Sequence, residues 1–210
     1  MTQETLTLLG VGDIMLDSPE PESFFVLAES TLKSGDVVVG QGEIAFTSRG
    51  INTFNPISTP PCDPNNMKAL PSAGFNVITL AGNHIFDWGV PGIEDTIAGL
   101  KNYGIAYTGA GMNIDEARRP AIIERNGTRF GFLNYNCVGP KESWATPDKP
   151  GCAYVHIITY YELDHPTPGG MPTIYTFAEP KSLKAMEADI RKLKKGSDRI
   201  SDPPASAART

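Results

Sequence analysis

Three apolar runs each end at a glycine followed by polar side chains, and this repetition constrains the fold more than any other feature. Leu6-Thr7-Leu8-Leu9-Gly10-Val11 stops at Gly12-Asp13, and Val37-Val38-Val39 stops at Gly40-Gln41-Gly42-Glu43. Val77-Ile78-Thr79-Leu80-Ala81 stops at Gly82-Asn83-His84, with Asp87 a turn later. Helical segments lie between the runs, so the chain reads as α/β. In open α/β sheets ligands bind beyond the carboxyl ends of the strands. Three strands therefore deliver Asp13, Glu43, Asn83 and His84 to one rim, and the glycines let the backbone turn sharply or approach a ligand closely. Two carboxylates, an amide oxygen and an imidazole make a hard oxygen and nitrogen set suited to a divalent metal.

Each piece alone has a plainer reading. Asp13 after a glycine could cap a turn, and Glu43 could be a surface carboxylate. Asn83-His84 could be a turn in which asparagine tolerates a left-handed backbone and histidine bonds the main chain. Asp87 either orients His84 or caps the following helix. These readings weaken together because the loops follow three successive strands of one kind. His156 reads as a satisfied strand histidine, His165 as a surface residue before Pro166, and Trp88 and Trp144 as packing or rim residues.

Periodicity supplies the other elements. Pro19 to Ser34 reads as a helix with Phe24, Leu27, Ala28, Thr31 and Leu32 on one face. Positions 51 to 61 read as an irregular loop, and a helix from Asp63-Pro64 should break or kink at Pro71. Ile93, Ile97 and Leu100 align on a helix that Gly104 stops, and Ile105 to Tyr107 makes a fourth strand. Ala121 to Arg125 and Thr128 to Tyr135 flank the hairpin signal Asn126-Gly127, so one mixed sheet is expected, parallel first and antiparallel afterwards. From Asn136 to Pro180 prolines and glycines loosen the pattern. Lys181 to Lys195 is an amphipathic helix with Leu183, Met186, Ile190 and Leu193 on one stripe and Gly196 as its stop. A domain over positions 1–195 followed by a disordered tail over 196–210 is the expected organisation.

Composition narrows the class. Among 210 residues, 40% are hydrophobic and 20% charged, as in an ordinary globular domain. A net charge of −6 argues against a nucleic-acid surface. No apolar run approaches the roughly 20 residues of a membrane helix, and the N-terminus lacks a signal-peptide pattern. Cys62, Cys137 and Cys152, odd in number and in no CxxC pattern, fit reduced thiols in a cytoplasmic protein.

The ordered series Gly12-Asp13-Ile14-Met15-Leu16, Gly42-Glu43-Ile44 and Leu80-Ala81-Gly82-Asn83-His84, with Asp87 and Gly89, resembles the capsule-synthesis CapA family of the calcineurin-like metallophosphoesterase superfamily. Gly104-Ile105 and Thr108-Gly109-Ala110-Gly111 also follow that pattern. The resemblance covers about residues 5 to 160. It implies a metallophosphoesterase-like αββα sandwich with mixed sheets. It places Asp13, Glu43, Asn83 and His84 on metal-binding and phosphate-contacting positions, and gives His84 and Asp87 catalytic roles. Two departures stand out. Met15 occupies a place where the superfamily has a histidine, and no His-Trp-Gly segment with paired histidines follows. The C-terminal half of the family pattern is therefore expected to be missing, through a frameshift or as a natural short form. An open sheet edge and a partly uncovered Lys181 to Lys195 helix would then favour self-association.

The resemblance implies metal-assisted hydrolysis with Mn, Zn, Fe or Mg, bound weakly because ligands are lacking. Asp13, Glu43 and Asn83 would supply oxygen ligands, and His84 would ligate or act as general acid. The substrate would be a small phosphoester or a polyanionic polymer such as polyglutamate. The alternative is a non-catalytic capsule-polymer assembly or binding protein, or an inactive fragment.

Overall fold

The computed structural model describes residues 5–52, 60–163 and 169–197. Its centre is a four-stranded sheet in the order β1 (Leu8–Ile14), β2 (Val37–Gly42), β3 (Val77–Thr79) and β4 (Ala106–Thr108), all parallel. Alternate residues of the valine-rich runs face opposite sides of a sheet, and here both sides are covered. Val37 and Val77 are as buried as their neighbours Val38 and Ile78. Val38 and Ile78 pack in one core with Met67, Leu70, Ile93 and Leu100. Each such side chain contributes roughly 1.5–3 kcal/mol by leaving water. β1 is an edge strand, with Leu8 and Val11 exposed.

The crossovers are shorter and less regular than the helical spacing suggests. The expected Pro19 to Ser34 helix is instead a 3-10 turn at Pro21–Phe25 followed by the short α1 (Glu29–Leu32), and Leu27 is 98% exposed. No other element covers the face that carries Leu27, so the apolar spacing there does not sustain a longer helix. A 3-10 turn at Pro64–Lys68 runs into α2 (Ala69–Ala73), and Pro71 does not break it. Pro71 stands in the first turn of α2, where a missing N–H costs little. α3 (Gly89–Asn102) buries Ile93, Ile97 and Leu100 as their spacing predicts, and Gly104 follows it with φ +68°.

β5 (Ala110–Gly111) and α4 (Ile114–Ala117) come next, and Asn113 caps α4 by accepting the Glu116 N–H. β6 (Ala121–Arg125) and β7 (Thr128–Phe132) close through Asn126-Gly127, both at positive φ. This hairpin does not extend the parallel sheet. Parallel and antiparallel pairing occupy separate sheets: β6–β7 is one ribbon, β5 pairs with β8 (Gly151–Cys152), and β9 (Ile157–Leu163) pairs with β10 (Pro172–Ala178). The β9–β10 ribbon was not legible in the loosened stretch.

α5 (Pro180–Ser197) begins one residue earlier than expected and continues through Gly196. Glu179 caps it by accepting the Ser182 N–H. Leu183, Met186 and Leu193 are half-buried, whereas Ile190 is exposed. His156 lies just before β9 with its ring 5.1 Å from the Trp144 indole, which stacks on Tyr154 at 4.2 Å. Most of the expected loop at 51–61, His165 and nearly all of the expected tail fall outside the described residues. No helix among the described residues is long and apolar enough to cross a membrane.

Candidate functional site

The carboxyl ends of β1, β2 and β3 bring the polar groups together. Asp13 is the penultimate residue of β1 and is exposed, and Gln41 of β2 stands beside it in register. Glu43 follows β2 directly, its N–H donated to the Ile14 carbonyl at 3.3 Å. The strands run slightly further than their apolar runs: β1 includes Gly12 and Asp13, and β2 includes Gly40, Gln41 and Gly42. β3 is shorter and ends at Thr79, leaving Leu80 and Ala81 to lead into the Gly82-Asn83-His84 turn.

At the centre the Glu43 carboxyl lies near enough to Asp13 for the Asp13 charge to raise its pKa. His84 Nε2 lies 3.9 Å from Glu43 Oε1, and His84 Nδ1 lies 2.7 Å from Asp87 Oδ2. Asp87 is buried and its carboxylate accepts the Nδ1 proton, which leaves Nε2 facing Glu43. Asn83 is half-buried on the same turn, and among the described residues no hydrogen bond joins its side chain to Asp13, Glu43 or His84. Burial raises the Glu43 pKa first, the Asp13 charge raises it further, and His84 acts in the opposite direction.

The turn passes close to Glu43 and Gln41, so a side chain at position 82 would push the Gln41 amide aside. A Cβ there would stand 2.9 Å from Gln41 Nε2 and 3.3 Å from Glu43 Oε2. Gln41 is itself oriented by Thr79, whose hydroxyl donates to Gln41 Oε1 at 2.6 Å.

Two supporting residues escaped the sequence reading. Gln41 had a signal, being a polar residue between glycines at the end of an apolar strand. Asn134 had only the weak one of a lone amide in Phe132-Leu133-Asn134-Tyr135, and nothing in spacing ties it to Ala81, whose N–H it accepts.

The donor chemistry suits a hard cation, since two neighbouring carboxylates favour a positive charge near them. A closed ligand shell is not formed by these residues. Among the described residues, no group of three or more His, Cys, Asp or Glu side chains is placed to hold a metal ion.

Residues 7–200 match the bacterial capsule synthesis protein PGA_cap family. The chain belongs to this family. It is 29% identical to the capsule biosynthesis protein CapA of Bacillus anthracis over 159 residues, covering 70% of this chain and 39% of that protein. The PGA biosynthesis protein CapA of Bacillus subtilis is 24% identical over 160 residues, 71% of this chain and 42% of the relative. A probable polyglutamine synthesis accessory protein of Mycobacterium tuberculosis is 39% identical over 92 residues, 42% of this chain and 24% of the relative. The chain thus spans less than half the length of these curated relatives. The matched region contains all five rim residues, Asp13, Glu43, Asn83, His84 and Asp87.

Proposed function

We propose that the rim is a hydrolytic site working with a divalent cation on a phosphoester or a polyglutamate-related polymer, in the service of capsule synthesis. The observation that carries this reading is the chain Glu43–His84–Asp87 at the sheet's carboxyl edge, with Asp13 on the neighbouring strand close enough to raise the Glu43 pKa. Asp13 and Glu43 are the residues that would hold Mn, Zn, Fe or Mg, with the Asn83 amide next along the rim. When bound, such a cation polarises the scissile oxygen and lowers the pKa of a coordinated water. His84, held at Nδ1 by Asp87, presents Nε2 for holding or delivering a proton at the leaving group.

A second reading, a non-catalytic protein that binds or assembles capsule polymer, is favoured by the lack of a ready-made metal cage among the described residues. Turnover of phosphomonoesters, phosphodiesters and γ-glutamyl amides with Mn²⁺ separates the two. The hydrolytic reading expects turnover that His84→Ala lowers by about 10²-fold or more. Equal turnover in that variant refutes the role of His84. Retention of polyglutamate without turnover supports the second reading.

A further inference from the structure

We propose that Asn134 is a positioning residue for the His84 turn, an inference that rests on the hydrolytic reading of the rim. β3 ends at Thr79, and the last backbone bond from this segment to a neighbouring strand is the Leu80 N–H donated to the Thr108 carbonyl at 2.9 Å. The next N–H, that of Ala81, is received by the Asn134 side-chain oxygen instead of a strand. Ala81 is buried, so without Asn134 its N–H would be cut off from water and unpaired. The two residues leading into Gly82-Asn83-His84 are therefore fixed by one ladder bond and one side chain.

Asn134 is well placed for this work because its own segment is anchored. Tyr135 donates its hydroxyl to Asp189 Oδ2 of α5 at 2.7 Å. Asn136 is buried, and its backbone exchanges hydrogen bonds with Ala153 and Val155 at 2.8 and 2.9 Å. The fit around the contact admits no bulk. Gly109 has φ +99°, and a Cβ there would stand 2.6 Å from Asn134 Oδ1 and 2.7 Å from the Ala81 nitrogen. A side chain from outside the parallel sheet thus sets the height at which His84 faces Glu43. Groups that orient a ligand or a catalytic residue commonly change metal affinity by 10–100-fold when removed.

Amide hydrogen exchange and Mn²⁺ calorimetry on the full chain test this. In the wild type the Ala81 amide should be protected as well as that of Leu80. Asn134→Ala should speed Ala81 exchange about tenfold or more while Leu80 keeps its protection, and should weaken Mn²⁺ binding about tenfold or more. Asn134→Asp keeps an acceptor oxygen in the same place and should restore both. A wild-type Ala81 amide exchanging as in a free peptide overturns the proposal, even if Asn134→Ala fails to fold. So does Asn134→Ala with a lowered melting temperature and unchanged Mn²⁺ affinity, the outcome of a merely structural contact. Failure of the wild type to bind Mn²⁺ would remove the hydrolytic reading, and the exchange data would still decide whether Asn134 fixes the turn.

Discussion

The parallel sheet and the C-terminal ribbon with its helix are both rich in apolar residues, yet they stand in opposite environments. Val37, Val38, Val77 and Ile78 are 0–1% exposed, whereas Tyr160, Tyr161, Leu163, Ile174 and Phe177 are all more than half exposed. The difference lies in neighbours. β2 and β3 have strands on both sides and helices over them, while β9 and β10 pair only with each other. α5 buries its apolar stripe only partly and is also held by polar contacts: Arg118 Nε meets Asp189 Oδ2 at 2.6 Å, and Arg118 donates to the Ala185 carbonyl at 2.9 Å. Apolar content alone therefore does not say what is core. A strand becomes core when other elements cover it, and the proposed site sits on the covered sheet.

Truncation of one apolar side chain in each region should separate the sheet from the ribbon most strongly. Ile78→Ala should cost about 2–5 kcal/mol, because the surrounding core cannot fully collapse into the space. Ile174→Ala in the ribbon should cost less than about 0.5 kcal/mol. Urea unfolding of the two variants measures both, and equal losses would mean that the ribbon is covered in solution. Asp189→Ala should fall between them at about 1–3 kcal/mol, since it leaves the Arg118 guanidinium and the Tyr135 hydroxyl without their shared partner. Hydrogen exchange in α5 should rise in that variant while β2 and β3 stay protected.

The smallest effect is a pH dependence at the rim. The Glu43 pKa is raised above its ordinary value of 4.5, so ionisation is disfavoured in the folded protein. Its contribution to stability is complete below the unfolded value and is lost as the pH rises through the higher folded value. Glu43→Gln should therefore melt slightly higher than the wild type at neutral pH without metal. The difference should vanish below about pH 4, where both states of the wild type are protonated. A variant less stable than the wild type at neutral pH would reverse the sign of the argument.

The parts of the fold that sequence made legible are those governed by local pattern. The strand-end glycines, the α3 stripe of Ile93, Ile97 and Leu100, and the Asn126-Gly127 hairpin all follow from period and turn chemistry. The rest depends on distant partners. Phe24 and Leu27 kept helical spacing, but no element covers them, and the segment is a 3-10 turn and a short helix with Leu27 in solvent. The β6–β7 ribbon was expected to extend the central sheet, because pairing partners cannot be read from alternation alone. At the rim, Asp13, Glu43 and His84 were visible as strand-end residues. Gln41 and Asn134 act through contacts set only by the tertiary fold.

Calorimetric titration of Mn²⁺ into the wild type and Asp13→Ala tests the central claim most directly. Saturable binding at micromolar or weaker concentrations, about 8 kcal/mol or less, is expected, and Asp13→Ala should abolish it. Tight stoichiometric binding that survives Asp13→Ala would contradict the claim, because the cation would then be held by residues other than the rim.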